Sequence, residues 1–273
     1  MVESLANTAF INGVNYGNVF IPENFFADQN FYQKNGIPKV AAEYCLCDVT
    51  VWNRQQIMTN WLDSMIKESD FSEMKQLGVN FVRLPLGYWN VFDMPYCPNA
   101  PTTDSNRMCN LKNIMPSYTY YRPYIDKVMN YAKKYGQKVL LDLHGAPGSQ
   151  NGASHSGCSV SSVYWDTDWN KQNTLSAVKA LAEICNANLA SCYGIEVLNE
   201  PGWGVDRNHL ISYYQDAIKT ARQVLPAYVP VVVFEWNPYW YHYEGRWNSL
   251  FPYSTYGRVE LDTHIYHFEN TVW

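Results

Sequence analysis

The residues of this sequence best suited to chemistry sit at the tips of apolar runs. Gly194 to Pro201 is GIEVLNEP: Ile195, Val197 and Leu198 are apolar, and Asn199-Glu200-Pro201 breaks the run. Glu200 is thus expected where a buried strand meets solvent, and a buried charge is costly unless it is paired or used. Other apolar runs end in Asn15, Arg83, His144, Glu235 and His264. A carboxyl in a part-dry site has its proton affinity set by its neighbours, which suits it to acid–base chemistry. The plainer reading of Glu200 is a salt bridge to a nearby helix, and that of Arg83 a structural ion pair. Several polar tips converging on one mouth favour catalysis.

Six apolar runs must position these residues: 11–16, 79–86, 138–145, 194–200, 229–236 and 259–266. Segments of helical period lie between them. Asp70-x-x-Glu73 resembles a capping box, with Phe71, Met74 and Leu77 on one face and Gly78 as the stop. Tyr121, Ile125, Val128 and Ala132 form a stripe that Gly136 ends. Leu175, Val178 and Leu181 form another, as do Ile211, Tyr214, Ile218 and Ala221. Apolar strands alternating with amphipathic helices predict a parallel sheet covered by helices. A doubly wound nucleotide-binding sheet would need a glycine-rich phosphate loop, and neither GxGxxG nor GxxxxGK[ST] occurs. A (β/α)8 TIM barrel places its functional residues at strand C-termini and accounts for the polar tips, with about six of its eight strands in this chain. With no linker, low-complexity segment or repeat, residues 1–273 are expected to form one domain.

The chain has 20 Lys+Arg against 25 Asp+Glu, a net charge of -5 and a pI near 5.7. No basic block invites nucleic acid or an anionic membrane, and no apolar run is long enough to span a bilayer. Aromatic residues form 16% of the sequence, clustered in GYWNVF, SVYWDTDW and FEWNPYWYHY. Most are accounted for as core and ordinary surface, but Tyr88, Trp89 and Trp236 are candidates for a groove that stacks sugar rings. Seven Cys include two pairs that could close short loops, Cys97 with Cys109 and Cys185 with Cys192. Disulfides there would point to an extracellular setting.

Hydrolysis of a glycosidic bond needs two carboxyls, one protonated and one ionised. LNEP at 198–201, RLPLGYW at 83–89 and LDLHGAPGSQNG at 141–152 occur in order, with INGVNYGNVFIPE before them and DTHIY after. Together they resemble glycoside hydrolase family 5, and within it the exo-β-1,3-glucanase branch. The resemblance implies a retaining hydrolase that cleaves β-1,3-glucan by double displacement without metal or organic cofactor. It is expected to act as a monomer, outside the cell or in the cell wall. Glu200 would be the general acid/base, its proton affinity held up by desolvation and an ionised partner. Asn199 would hydrogen-bond the sugar 2-hydroxyl, and Arg83 would hold the nucleophile ionised. His144 and His264 would line the subsite beside the scissile bond, Tyr266 would donate to the nucleophile, and Glu23 would bind sugar hydroxyls with Asn15 beside it.

The resemblance places the nucleophile Glu on a seventh strand, beyond the sixth run. The chain is therefore expected to be the N-terminal part of a longer enzyme, with unpaired strand edges and apolar interior residues facing water. Glu235 and Glu269 are the carboxylates that could substitute. Three other readings stay open: a cellulase-type β-1,4-glucanase, an inactive glucan-binding remnant, and a barrel metallohydrolase using Asp142, His144 and His264.

Overall fold

The computed structural model describes residues 10–23, 35, 54–93, 116–157, 160, 162–202, 204–235 and 244–265. Six strands lie side by side in chain order, all parallel. They are β1 (Gly13–Asn15), β2 (Phe81–Gly87), β3 (Lys138–Gly145), β4 (Cys192–Glu196), β5 (Val231–Phe234) and β6 (Val259–Asp262). The helices between them are α1 (Arg54–Met65), α2 (Glu68–Gln76), α3 (Tyr88–Val91), α4 (Tyr118–Tyr135), α5 (Asp168–Ala187), α6 (Arg207–Arg222), α7 (Glu244–Leu250) and α8 (Tyr253–Tyr256). Each strand pairs with the next in sequence after a helical crossover, the winding of a (β/α)8 barrel, of which six strands are seen. Val139, Leu141 and Leu143 of β3 and all four residues of β5 are fully or nearly fully buried, as expected for strands covered on both faces.

The helices follow the expected stripes. Tyr121, Ile125, Val128, Met129 and Ala132 of α4 are buried against the sheet, and Gly136 ends the helix in the left-handed region at φ +72°. One expected helix start is corrected. α2 begins at Glu68, two residues before Asp70, with Lys67 at its cap. Asp70 instead accepts a hydrogen bond of 2.7 Å from the Tyr16 hydroxyl, tying the exit of β1 to this helix. Asp206 does cap α6, accepting from the Asn208 and His209 amides at 2.9 and 3.0 Å.

Three strands stop short of their apolar runs: β4 at Glu196, β5 at Phe234 and β6 at Asp262. The polar tips therefore lie on the first residues beyond the ladder, still tied to it. Val197 N–H donates to Val232 O at 3.0 Å, Asn199 N–H to Leu143 O at 3.0 Å, and Glu235 N–H to Asp262 O at 2.9 Å. The register places Asp142 beside Glu196, Glu196 beside Val232, and Phe234 beside Asp262. A register shift between Val139 and Leu140 leaves Tyr193 as a bulge. Its ring meets Phe81 edge-on at 5.0 Å, and its hydroxyl donates to Glu260 at 2.8 Å. Tyr193 thereby joins β4 to strands two positions away on either side.

Cys185 near the end of α5 and Cys192 at the start of β4 form a disulfide, with Cα atoms 5.3 Å apart. Cys97 and Cys109 lie outside the described residues. Both outer strands carry exposed apolar side chains: Val14 on β1, with Phe10 and Ile11 before it, and Leu261 on β6, with Ile265 after it.

Gly194 marks the tightest approach in the sheet, since a Cβ there would lie 2.3 Å from Pro230 O. Because the obstacle is backbone, Gly194→Ala must spread β4 from β5. We expect a loss of about 1–3 kcal/mol, measured as a lower urea midpoint.

Candidate active site

The sheet gathers its ionisable residues around Arg83 of β2. Arg83 Nε donates to Glu196 Oε2 at 2.8 Å, and Nη2 donates to Asn199 Oδ1 at 2.7 Å. The same Nη2 lies 3.0 Å from Asp142 Oδ2, and Nε lies 3.9 Å from Asp262 Oδ2. Carboxylates from β3, β4 and β6 thus share one guanidinium, whose forked donors suit planar acceptors. The Asp142 and Glu196 side chains are fully buried. Burial pushes the Asp142 carboxyl up to about 7 and that of Glu196 up to about 8, with Arg83 opposing in both cases.

A second layer lies at the mouth, around Glu200. His264 Nδ1 is 2.5 Å from Glu200 Oε1, and its Nε2 is 3.4 Å from Asp262 Oδ2. His155 Nε2, from the short 3-10 turn Ser154–Ser156, is 3.2 Å from Glu200 Oε2. Burial pushes Glu200 up, but hydrogen bonding to His155 and His264 outweighs it and draws the carboxyl below the ordinary range. This corrects the expectation that Glu200 is held up: the imidazoles of His155 and His264 face its two oxygens and outweigh burial. Burial lowers His264, yet its hydrogen bonds to Asp262 and Glu200 prevail and raise it to about 9. His144 is held neutral by burial, and its Nδ1 pairs with Asp142 Oδ2 at 2.7 Å.

The loop after β3 fixes this layer. Gln150 is buried; its Nε2 donates to His144 O at 2.8 Å and Asn199 O at 2.9 Å, and its Oε1 accepts from Ala146 N at 3.0 Å. One side chain thus ties the ends of β3 and β4 together. Glu200 has a φ of +40°, in a region uncommon for residues other than glycine. That turn presents its carboxyl to His155 and His264 while Pro201 follows into the loop.

Of the residues expected at the site, the structure brings together Arg83, His144, Asn199, Glu200 and His264. Glu23 joins them: it is partly buried, and burial pushes its carboxyl up. Asn15 pairs in register with Arg83 but is exposed on the outermost strand. Tyr88 and Trp89 are corrected from groove to core, being 0% and 1% exposed, with the indole packed on Gly87 and Gly145. Tyr266, Trp236 and Glu269 lie outside the described residues. Glu235 stands just past β5, 3.9 Å from Arg207 Nη2 on α6.

The proposed metal set does not converge. Asp142 Oδ2 is taken by Arg83 and His144, while His264 turns to Glu200 and Asp262. Donor atoms of Glu196, Asp262 and His264 do lie within 4.8 Å of one another, but Arg83 already supplies a cation to both acids. Reasoning from the sequence missed Glu196, Asp262, Gln150, Asn151 and His155 as parts of the site. Alternation along β4 could have found Glu196, two residues from Gly194 on the face that Asp142 shares across the ladder.

Residues 47–270 match the family Cellulase (glycosyl hydrolase family 5). The chain belongs to glycosyl hydrolase family 5. It is 33% identical over 266 residues to a glucan 1,3-beta-glucosidase of Blumeria graminis, covering 95% of this chain and 56% of that protein. It is 30% identical over 266 residues to glucan 1,3-beta-glucosidase 2 of Wickerhamomyces anomalus, covering 94% of this chain and 56% of that protein. The chain therefore spans about half the length of the curated relatives it matches. Among solved structures, the rutinosidase from Aspergillus niger superposes with a TM-score of 0.73 at 20% identity, covering 95% of this chain and 70% of that one. That likeness shows a shared fold.

The buried acids tie stability to pH. Asp142 and Glu196 hold protons more tightly folded than unfolded, so their contribution is complete below about pH 4 and is lost as pH rises through about 7 to 8. Urea midpoints should fall between pH 5 and 8, and the fall should be smaller in Asp142→Asn. An equal fall in the variant would show that Asp142 does not contribute.

Proposed function

We propose that this chain carries the acid/base half of a retaining β-glucan hydrolase whose substrate is β-1,3-glucan. The observation that carries the reading is Glu200 itself. It is a carboxyl on a left-handed turn just past β4, its side chain 13% exposed, preceded by Asn199 and flanked by His155 from the loop after β3 and His264 from the end of β6. The names of the relatives matched over nearly the whole chain support the β-1,3 linkage. Cleavage of β-1,4-glucan is the alternative linkage, open because the family embraces cellulases.

In the first step Glu200 gives its proton to the glycosidic oxygen as the C1–O bond breaks, and a nucleophilic carboxylate from outside the described residues bonds to C1. In the second step Glu200 takes a proton from water as the water oxygen bonds to C1 and the carboxylate leaves. Asn199 Nδ2 has no hydrogen-bond partner among the described residues and would donate to the sugar 2-hydroxyl, while Arg83 holds Oδ1 of the same amide. His144, His264 and Glu23 border the sugar, with Asn15 at the outer rim. The protein acts as a monomer, outside the cell or in the cell wall. The Cys185–Cys192 disulfide agrees with an oxidising setting, and no helix among the described residues is long and apolar enough to cross a membrane.

The test uses the intact protein that carries this chain, on β-1,3-, β-1,4- and β-1,6-glucans. Turnover is expected on laminarin, with Glu200→Gln lowering kcat about 10²–10⁴-fold. Binding of laminarin without turnover would favour the remnant reading, and a preference for β-1,4-glucan would move the linkage. Asn199→Ala should lower kcat more than it raises KM, because the 2-hydroxyl contact strengthens in the transition state.

A further inference from the structure

His155 faces Glu200, yet the orientation of its own neighbour decides which way the hydrogen bond between them runs. Asn151 Oδ1 accepts from Ala153 N at 2.9 Å and from Ser156 Oγ at 2.6 Å. A backbone N–H can only donate, so the Asn151 amide cannot be turned around without losing that bond. Its Nδ2 therefore points the other way, toward Glu200 O at 3.1 Å and His155 Nε2 at 2.9 Å. An amide N–H aimed at a ring nitrogen requires a lone pair there. If Nε2 is bare, the 3.2 Å contact with Glu200 Oε2 is a hydrogen bond only when Glu200 carries the proton.

We propose that His155 is a positioning residue for Glu200, sharing one proton with it across Oε2 and Nε2 while Asn151 keeps the imidazole the acceptor. This rests on the reading of Glu200 as the general acid. The proton has two seats. On Nε2 it leaves Glu200 ionised and sets two donors, Nε2–H and Asn151 Nδ2–H, against each other. On Glu200 it makes O–H···Nε2 and preserves the Asn151 bond. His264, on the other oxygen, is drawn to its charged form by Asp262 and Glu200 and favours the ionised carboxylate. His155 faces the remaining oxygen, and its 29% exposure against 13% for Glu200 makes it the solvent side of the pair.

The other charged groups around the pair are accounted for by element. After β1 stands Glu23, and on β2 Arg83. β3 bears Asp142 and His144, whose ring is 5.5 Å from that of His155. Glu196 ends β4, Glu235 follows β5 beside Arg207, and Asp262 and His264 close β6. Arg83 is bound by Asp142 and Glu196, and His144 by Asp142, so none of these competes for Nε2 in the structure.

Two measurements on the intact protein test this. Imidazole ¹⁵N spectra with labelled histidine should show Nε2 of His155 unprotonated and Nδ1 protonated near neutral pH, with Nε2 responding in Glu200→Gln. A protonated Nε2 at neutral pH, or no response to that substitution, would overturn the proposal. The second is the pH profile of kcat/KM on a β-1,3-glucan oligosaccharide. Because the two groups share a proton, His155→Ala should move the alkaline limb by about one pH unit, whereas a merely structural role would lower the profile without moving it. Asn151→Asp should draw the proton onto His155 and cut kcat by about tenfold or more. If no β-glucan is turned over but the ¹⁵N result holds, the functional reading fails and the shared proton stands. If Glu200-dependent turnover is normal and the limb does not move, the proposal fails and the functional reading stands.

Discussion

A single guanidinium inside a half-barrel of carboxylates is the constraint around which the rest of the site is arranged. Arg83 reaches acids on β3, β4 and β6 only because the sheet curves enough to bring strands that are not neighbours to one point. One cation cannot satisfy every acid there, so the surplus is divided by depth. Asp142 and Glu196, fully buried, hold protons, while Asp262 is kept ionised by His264 nearer the mouth. The interior thus runs from proton-retaining acids in the sheet to ion-paired acids at the rim. Removing Arg83 would disturb both layers at once, because the same fork also holds Asn199.

The second determinant is the loop after β3. Gln150 holds the backbone ends of β3 and β4 together, and Asn151 does the same for Glu200 and His155. Adjacent amide side chains therefore set the position of the acid at two levels: its backbone through Gln150, its proton through Asn151. Hydrogen bonds with a fixed donor sense serve better than apolar packing here, since only they distinguish a protonated carboxyl from an ionised one.

Much of this was legible beforehand, for physical reasons. Apolar runs and period-3.6 stripes gave the six described strands and the helices α2, α4, α5 and α6, though not α1, because burial against a sheet leaves such patterns in the residues. Polar tips after such runs pointed to one mouth. Strand ends were placed too late in β4, β5 and β6, since Val197 and Leu198 stay buried past the last ladder bond and look like strand. Tyr88 and Trp89 were assigned to a groove on aromatic character alone, and nothing in their spacing separates a wall from a core. Asp70 was taken as a cap because a side chain serving Tyr16, 54 positions away, leaves no local mark. His155 escaped notice for a similar reason: its role comes from Asn151 and Glu200 meeting it in space.

Glu200 occupies a backbone conformation that suits glycine, at a strain on the order of 1–3 kcal/mol. At this one residue, the backbone favours glycine while the proposed proton donation needs a carboxyl. A copy of the gene released from catalysis could exchange the carboxyl for glycine and relax that turn, keeping the barrel while discarding the acid. Whether glutamate or glycine stands on this turn can be checked in any related barrel without knowing its substrate.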